Sequence, residues 1–165
     1  MKRTLLAALL IICLALSSCS NVKAVEYCEL GIVLTKDFEP CASDAFHSAY
    51  SNGDSFVGIT RYSFADCVNN GLLTTYSPLK FAEVYLEMMD RTVLEGITEY
   101  NSVPYFIYTV TDSDGNELMY MPTFYRTPYA YFIITFITPA ARYYEAKEEF
   151  LGYIKTAYIV EEHLS

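Results

Sequence analysis

Two segments of the sequence are apolar on both of their alternating faces, and they limit most what this chain can fold into. Residues 105–110 read YFIYTV, and residues 131–137 read YFIITFI. Aromatic and β-branched residues favour strands, and successive side chains of a strand point to opposite faces of the sheet. A strand with one wet face would alternate apolar and polar residues. Both segments are therefore predicted to be central strands of a sheet that is covered on both faces.

Two amphipathic helices are predicted to provide the cover. The first has Ser77 as N-cap and Pro78 in the first helical position, where no N–H is needed. Its apolar stripe consists of Phe81, Val84, Tyr85, Met88 and Met89. The second is predicted to begin at Thr138 and Pro139, with Ala146, Phe150, Tyr153, Ile154 and Ala157 on one face. The fold class is therefore predicted to be α+β, an antiparallel sheet flanked by helices on both faces as an α/β/α sandwich.

The remaining segments are assigned from their local patterns. Strands are predicted at 30–35, 55–64, 95–101, 103–112, 117–126 and 128–137, and a turn or short helix at 66–77. Residues 36–55 are rich in turn formers and are predicted to be irregular. The sequence DSDGNE (112–117) has Gly115 fourth and Thr123 in the twelfth position, where an EF-hand needs glycine sixth and glutamate twelfth. A polar hairpin turn is the preferred interpretation.

Composition and charge narrow the class of protein. The chain has 165 residues, enough for one domain, and is 53% hydrophobic and 19% charged. This balance is opposite to that of a disordered chain. The formal net charge is −9, and it becomes more negative if the segment with Lys2 and Arg3 is removed. Such a surface repels phosphate backbones, so nucleic acid is not a predicted partner.

The first 20 residues have the pattern of an export signal: two basic residues, an apolar stretch from Leu5 to Leu16, and small residues. The apolar stretch is shorter than the roughly 20 residues of a membrane-spanning helix. The ending Leu16-Ser17-Ser18-Cys19 resembles the lipoprotein box of bacterial lipoproteins. This resemblance implies cleavage before Cys19 and acylation of its thiol, which would anchor the protein to a bacterial membrane on its extracytoplasmic side. The alternative is an ordinary signal peptide with a chance cysteine.

These interpretations divide the chain into a signal peptide (1–18), a lipidated Cys19 with a spacer (19–27) and a single domain (28–165). The order of elements, a helix after the first hairpin region, long strands, and a C-terminal helix ending EEFLGYIKTAYIV, resembles the PsbP-like superfamily over residues 29–160. Small bacterial envelope lipoproteins share that fold. The resemblance implies an α/β/α sandwich and an accessory or protein-binding role, and it supplies no functional residues.

Three cysteines remain in the predicted domain: Cys28, Cys41 and Cys67. An exported protein can form disulfides, but an odd number leaves at least one thiol unpaired or paired elsewhere. One disulfide and plain buried thiols both remain open. The cysteine spacings, taken with His47, contain no CxxC or HxxxH unit, so no zinc site is predicted. No cofactor is predicted.

No catalytic motif stands out, and the chain is predicted not to be an enzyme. The first functional hypothesis is a lipid-anchored accessory or protein-binding module of the cell envelope, with an envelope protein as partner. The second is a small-molecule or glycan-binding lipoprotein. Its candidate surface is the aromatic stretch FYRTPYAY (124–131), with Tyr125, Arg126, Tyr129 and Tyr131 around a strand turn. The third, an envelope hydrolase, requires His47 to lie beside a nucleophile.

Overall fold

The computed structural model describes residues 21–89 and 91–160. The strands in this part of the chain are β1 (Val22–Tyr27), β2 (Leu30–Thr35), β3 (Glu39–Pro40), β4 (Ser48–Ser51), β5 (Phe56–Ser63), β6 (Val93–Tyr100), β7 (Val103–Thr111), β8 (Glu117–Arg126), β9 (Ala130–Pro139) and β10 (Tyr158–Ile159). The helices are α1 (Phe64–Asn69), α2 (Pro78–Met89) and α3 (Tyr143–Ile154), and a short 3-10 helix, Ala140–Arg142, precedes α3.

The strands form two sheets. The larger has seven strands in the order β3-β4-β5-β9-β8-β7-β6, and the smaller has three in the order β1-β2-β10. All neighbouring strands run antiparallel. The fold is thus mixed, mostly antiparallel β with three α-helices in the described residues. The antiparallel arrangement agrees with the sequence prediction, which did not anticipate the second sheet.

The predicted spacer contains a strand of the small sheet. β1 pairs with β2 along its whole length, from Val22 opposite Thr35 to Tyr27 opposite Leu30. The side chain of Val25 is buried in the core. The folded region therefore includes residues that were predicted to link the lipid to the domain. Their sequence does not show the strand, because β1 places its polar residues outward and buries little.

The core confirms that the central strand is covered on both faces. β9 is buried from Ala130 to Thr138. Phe132, Ile134 and Phe136 belong to one apolar cluster, to which β2 and α3 also contribute. Tyr131 and Ile133 belong to a second cluster with residues of α1 and α2. Adjacent residues of one strand thus enter different clusters, as the two-residue period of a strand requires.

Helix α2 begins as predicted but presents a different face to the sheet. Ser77 Oγ accepts a hydrogen bond from the backbone N of Lys80 at 3.1 Å, which confirms the N-cap. The residues that reach the core are Phe81, Ala82, Tyr85, Leu86 and Met89. Met88, predicted to lie on the apolar stripe, is 59% exposed. The ring of Phe81 stacks on Tyr131 at 4.3 Å, and this contact fixes the rotation of the helix about its axis.

The predicted start of the last helix is wrong. Thr138 and Pro139 still belong to β9, and α3 begins at Tyr143 after the 3-10 helix. Thr138 Oγ1 donates to the carbonyl oxygen of Asp54 at 3.2 Å instead of capping a helix. The predicted buried face is confirmed for Ala146, Phe150, Tyr153 and Ile154, whereas Ala157 lies beyond the helix.

The connecting segments bear out some local predictions and correct others. Residues 36–55, predicted to be irregular, contain the short strands β3 and β4, of which β3 is the edge strand of the main sheet. Residues 112–116 form the predicted turn between β7 and β8, with Gly115 at a φ of +85°. Asp112 Oδ1 accepts from the backbone N of Asp114 and of Asn116, at 2.9 and 2.8 Å. The Asp112 carboxylate therefore stabilises the turn.

The cysteines of the described residues form no disulfide. Cys28 and Cys41 are exposed and Cys67 is buried, and all three are free thiols. The sequence left open either one disulfide or plain buried thiols. These three residues are plain thiols, although only Cys67 is buried. Cys19 lies outside the described residues.

Candidate functional site

The predicted tyrosine surface does not form, because its residues point in different directions. Tyr131 is fully buried, and its hydroxyl lies 3.1 Å from the carbonyl oxygen of Leu73 and 3.0 Å from that of Tyr76. Tyr125 is buried in the cluster on the opposite face of the sheet. Of the four predicted residues, only Arg126 and Tyr129 are exposed. Closeness in sequence therefore did not bring the aromatic rings together.

Arg126 has a structural role in this region, because it contacts both Phe64 and Thr74. Its guanidinium lies 5.2 Å from the centre of the Phe64 ring and donates to the carbonyl oxygen of Thr74 at 3.2 Å. Tyr125 and Arg126 do line a small pocket of about 210 Å³. Tyr129 and Tyr131 are not among its lining residues. The pocket is smaller than the usual range for ligand sites, about 300–1,000 Å³.

The hydroxyls of Tyr125 and Tyr131 give opposite predictions for removal of one oxygen atom. Tyr125 Oη is buried without a hydrogen-bond partner. The nearby hydroxyl of Thr123 gives its proton to the carbonyl oxygen of Ile134 at 2.8 Å. Burial also raises the pKa of Tyr125 well above its ordinary value. We expect Tyr125→Phe to raise the free energy of unfolding by about 1 kcal/mol, since an unsatisfied buried polar group is removed.

Tyr131→Phe is the matched comparison. It removes a hydroxyl that is hydrogen-bonded to the loop before α2, and we expect it to lower the free energy of unfolding by about 1–2 kcal/mol. Urea titration of both variants, followed by circular dichroism, measures the difference. Equal losses of stability would contradict the assignment of the Tyr125 hydroxyl.

A larger concave site lies elsewhere on the main sheet. We call it the Phe46 groove, a cavity of about 430 Å³. Its apolar lining consists of Phe46, Phe56, Leu118, Tyr120, Ile137 and Pro139. Its rim consists of Ser51, Gly53, Asp54, Ser55 and Thr138. In volume the groove lies within the usual range for ligand sites.

The register of three adjacent strands builds the floor of the groove. Ile137 of β9 lies opposite Phe56 of β5 on one side and opposite Tyr120 of β8 on the other. The ring of Tyr120 stacks on Tyr108 of β7 at 5.1 Å. These side chains share the face of the sheet that α2 covers further along. The groove is the part of that face which α2, ending at Met89, leaves open.

Phe46 forms the wall of the groove because β5 has a glycine beneath it. The ring of Phe46 lies so close over Gly58 that a β-carbon there would collide with it. The same ring packs at a tilt against Phe56, with centroids 5.5 Å apart. A glycine inside a strand often marks the close approach of another group. Gly58 was thus the one sequence signal of this site, but Phe46 could not be linked to it because it lies in a segment that was predicted to be irregular.

The polar groups of the rim are bonded mainly to one another. Ser55 Oγ lies 3.3 Å from Thr138 Oγ1, and Thr138 Oγ1 donates to the carbonyl oxygen of Asp54. The carboxylate of Asp54 pairs with Arg142 at 3.2 Å. The chemistry that the groove offers to a ligand is therefore apolar.

A charged cluster beside β5 includes the histidine of the hydrolase hypothesis. Glu29 is buried and forms two hydrogen bonds with Arg61, at 2.9 and 2.6 Å. The bond to Glu29 raises the pKa of Arg61. His47 Nδ1 accepts from the backbone N of Arg61 at 3.0 Å, and its ring stacks on Tyr27 at 6.1 Å. These contacts give His47 a structural role.

Among residues 21–89 and 91–160, no group of three or more His, Cys, Asp or Glu side chains is placed to hold a metal ion. No helix in these ranges has the length and apolar character needed to cross a bilayer.

Comparison with known proteins identifies a similar fold and no family. No family model matches the chain, and no curated protein matches it. A crystal structure from Bacteroides thetaiotaomicron VPI-5482, determined at 1.50 Å resolution, is similar with a TM-score of 0.54 and 12% sequence identity. The match covers 81% of this chain and 46% of that one, so the chain spans less than half the length of that protein. At this level of identity the likeness shows the fold alone.

Proposed function

We propose that this protein is a lipid-anchored, extracytoplasmic accessory domain that binds another protein of the bacterial envelope through the Phe46 groove and catalyses no reaction. The observation that carries the proposal is the groove itself. It is an apolar depression of about 430 Å³ on a sheet whose central strand is otherwise buried. A concave apolar site of this volume is the usual first candidate for a binding site.

The groove is suited to a few apolar side chains of a partner. Full burial of a Leu, Ile or Phe side chain contributes about 1.5–3 kcal/mol. Its lining includes Phe46, Phe56 and Tyr120, and aromatic residues are enriched at protein interfaces. Two or three inserted side chains would contribute about 3–9 kcal/mol, and association costs at least about 4 kcal/mol. The groove by itself therefore accounts for weak binding, with a Kd of about 0.2 mM at best.

The anchor is proposed from the sequence. Leu16-Ser17-Ser18-Cys19 resembles the lipoprotein box, and acylation of Cys19 would fix the domain to the outer side of a bacterial membrane. Two acyl chains are enough for stable anchoring, whereas a single chain binds only marginally.

For the fold we propose a layered arrangement of the PsbP-like kind. Phe81 and Ala82 of α2 enter one of the two apolar clusters, and Ala146 and Phe150 of α3 enter the other. These contacts support helices on opposite faces of the main sheet. The small sheet shares one of the faces with α3, since Ile32 of β2 belongs to the same cluster.

A photocrosslinking experiment tests the proposed function. A photoreactive phenylalanine analogue replaces Phe46 in the anchored protein in living cells, and protein adducts are identified by mass spectrometry. Adding Leu118→Arg places a charge in the groove, and we expect it to reduce the adduct about tenfold, which corresponds to about 1.4 kcal/mol of binding free energy. The matched control is Leu94→Arg on the edge strand β6, where the side chain is 57% exposed, and it should leave the adduct unchanged.

The outcomes separate the proposal from its alternatives. Loss of the adduct with Leu118→Arg alone supports groove binding, provided that both variants keep the melting temperature of the parent protein. Equal adduct yields in the two variants, or no protein adduct at all, would overturn it.

The small-molecule hypothesis has a specific observation in its favour, but at a different place from the one predicted. The groove volume of about 430 Å³ suits a small apolar molecule, whereas the pocket at Tyr125 and Arg126 is half that size. An extractable small molecule that copurifies with the protein and is lost in the Leu118→Arg variant would favour this alternative.

A further inference from the structure

We infer that the lipid tether holds the Phe46 groove next to the bilayer, and that its partner is therefore a membrane-embedded protein that presents a short apolar segment close to the membrane surface. This inference rests on the proposed function, since it assumes that Cys19 is acylated and that the groove binds a protein. It adds the class of partner and the place where the two meet.

The first step is the length of the tether. The backbone oxygen of Asn21 accepts a hydrogen bond from the N of Lys36 at 3.1 Å, so this residue is part of the folded domain. Only Ser20 stands between Asn21 and Cys19. Two residues of extended chain span at most about 7 Å. The acylated residue is therefore joined to the folded domain almost directly, and the end of the domain that contains Asn21 must face the bilayer.

The second step is the location of the groove relative to that end. Lys36 is followed by Asp37, whose carboxylate accepts from Asn52 Nδ2 at 3.2 Å. The neighbours of Asn52 in the chain, Ser51 and Gly53, belong to the rim of the groove. A chain of adjacent residues and two hydrogen bonds thus connects the tether point with the groove.

A second contact places the start of β1 beside the same edge of the main sheet. Lys23 Nζ lies 3.5 Å from Glu39 Oε1, and Glu39 pairs with Ser51 at the rim. At the far end of β1, Tyr27 stacks on His47, which accepts from the N of Arg61. β1 therefore runs alongside the sheet, and its tethered start lies near Ser51 at the rim of the groove.

The third step distinguishes a protein from a lipid as the occupant. An acyl chain that moved from the bilayer into the groove would gain no free energy, because the bilayer interior is already as apolar as a lining of leucine-like side chains. The hairpin that leads into Leu118 carries Asp112, Asp114 and Glu117, and the whole chain has a net charge of −9. These carboxylates repel anionic headgroups. An apolar protein segment at the membrane surface leaves water when it binds and so gains free energy.

Lengthening the tether tests the inference. An insertion of about 30 Gly and Ser residues between Ser20 and Asn21 has a root-mean-square span of about 30 Å. It allows the groove to move away from the bilayer and lowers its effective concentration at the membrane surface. With the photoreactive analogue in place of Phe46, we expect the adduct to fall about threefold or more. The same insertion after Ser165 leaves the tether unchanged and is the matched control.

The identity of the crosslinked peptide is the second readout. A peptide that adjoins a membrane-spanning segment of its protein, together with a tether-dependent yield, supports the inference. A protein adduct whose yield is the same at both tether lengths, a peptide from a soluble protein, or an adduct with lipid overturns it. Absence of any protein adduct with the natural tether overturns the proposed function as well, so the two failures are distinguishable.

Discussion

Replacing Phe81 with alanine is expected to lower the free energy of unfolding by about 3–5 kcal/mol, the usual cost of removing a buried aromatic ring. The Phe81 side chain is 1% exposed. Its ring stacks on Tyr131 at 4.3 Å and meets the edges of Tyr62 and Phe124, each at 5.9 Å. The neighbours come from strands β5, β8 and β9, which are held in register by the sheet. They cannot collapse together into the space that the ring leaves.

The matched control lies on the same helix. Met88 is 59% exposed, and we expect Met88→Ala to change the free energy of unfolding by no more than about 0.5 kcal/mol. For a domain of this size, the loss in Phe81→Ala corresponds to a fall in Tm of about 10 °C. Thermal and urea denaturation followed by circular dichroism measure both variants. A Met88→Ala variant as unstable as Phe81→Ala would contradict the rotation of α2 seen in the structure.

The central strands could be predicted because their sequence determines their surroundings. A strand such as β9, with Tyr131 and Ile133 on one side and Phe132 and Ile134 on the other, is stable in water only when both faces are covered. The cap at Ser77 could be predicted for a similar reason, because the hydrogen bond to Lys80 forms within one turn of chain. Local chemistry was sufficient in both cases.

The features that escaped prediction depend on partners distant in the sequence. β1 has only Val25 buried and is recognisable as a strand only once β2 lies beside it. The rotation of α2 depends on the stacking of Phe81 on Tyr131. The Phe46 groove needs Gly58 of β5 beneath a ring from the connecting segment, and no local pattern joins the two.

The error at the tyrosine surface has a different cause. Tyr125 ends up in the apolar cluster that contains Phe132, and Tyr131 in the cluster that contains Phe81. Tyr129 lies in the connection between β8 and β9, outside both strands. Side chains alternate between the two faces along β8 and β9, so Tyr125 and Tyr131 lie on opposite sides of the sheet. Closeness in sequence therefore does not bring them together in space.

Cys19→Ala is expected to abolish incorporation of labelled palmitate into the protein, and either to release the domain from the membrane or to stall its processing as an uncleaved precursor. The thiol is the acceptor of the lipid in the proposed modification, and alanine offers no atom to acylate. Each buried CH₂ of an acyl chain contributes about 0.8 kcal/mol, so two lost chains remove far more binding free energy than any surface contact of the domain could replace. Metabolic labelling and membrane fractionation measure the two effects.

Cys41→Ser is the control that makes this result specific to Cys19. Cys41 is an exposed free thiol of the folded domain, and its replacement should leave palmitate labelling and fractionation unchanged. Label retained in Cys19→Ala would show that the lipid is attached elsewhere, and absence of label in the parent protein would show that it is not acylated. Because β1 begins at Val22, loss of the acyl chains also removes the constraint on the orientation of the domain. Adducts from the Phe46 position should therefore disappear in the same variant, whereas they should persist in Cys41→Ser.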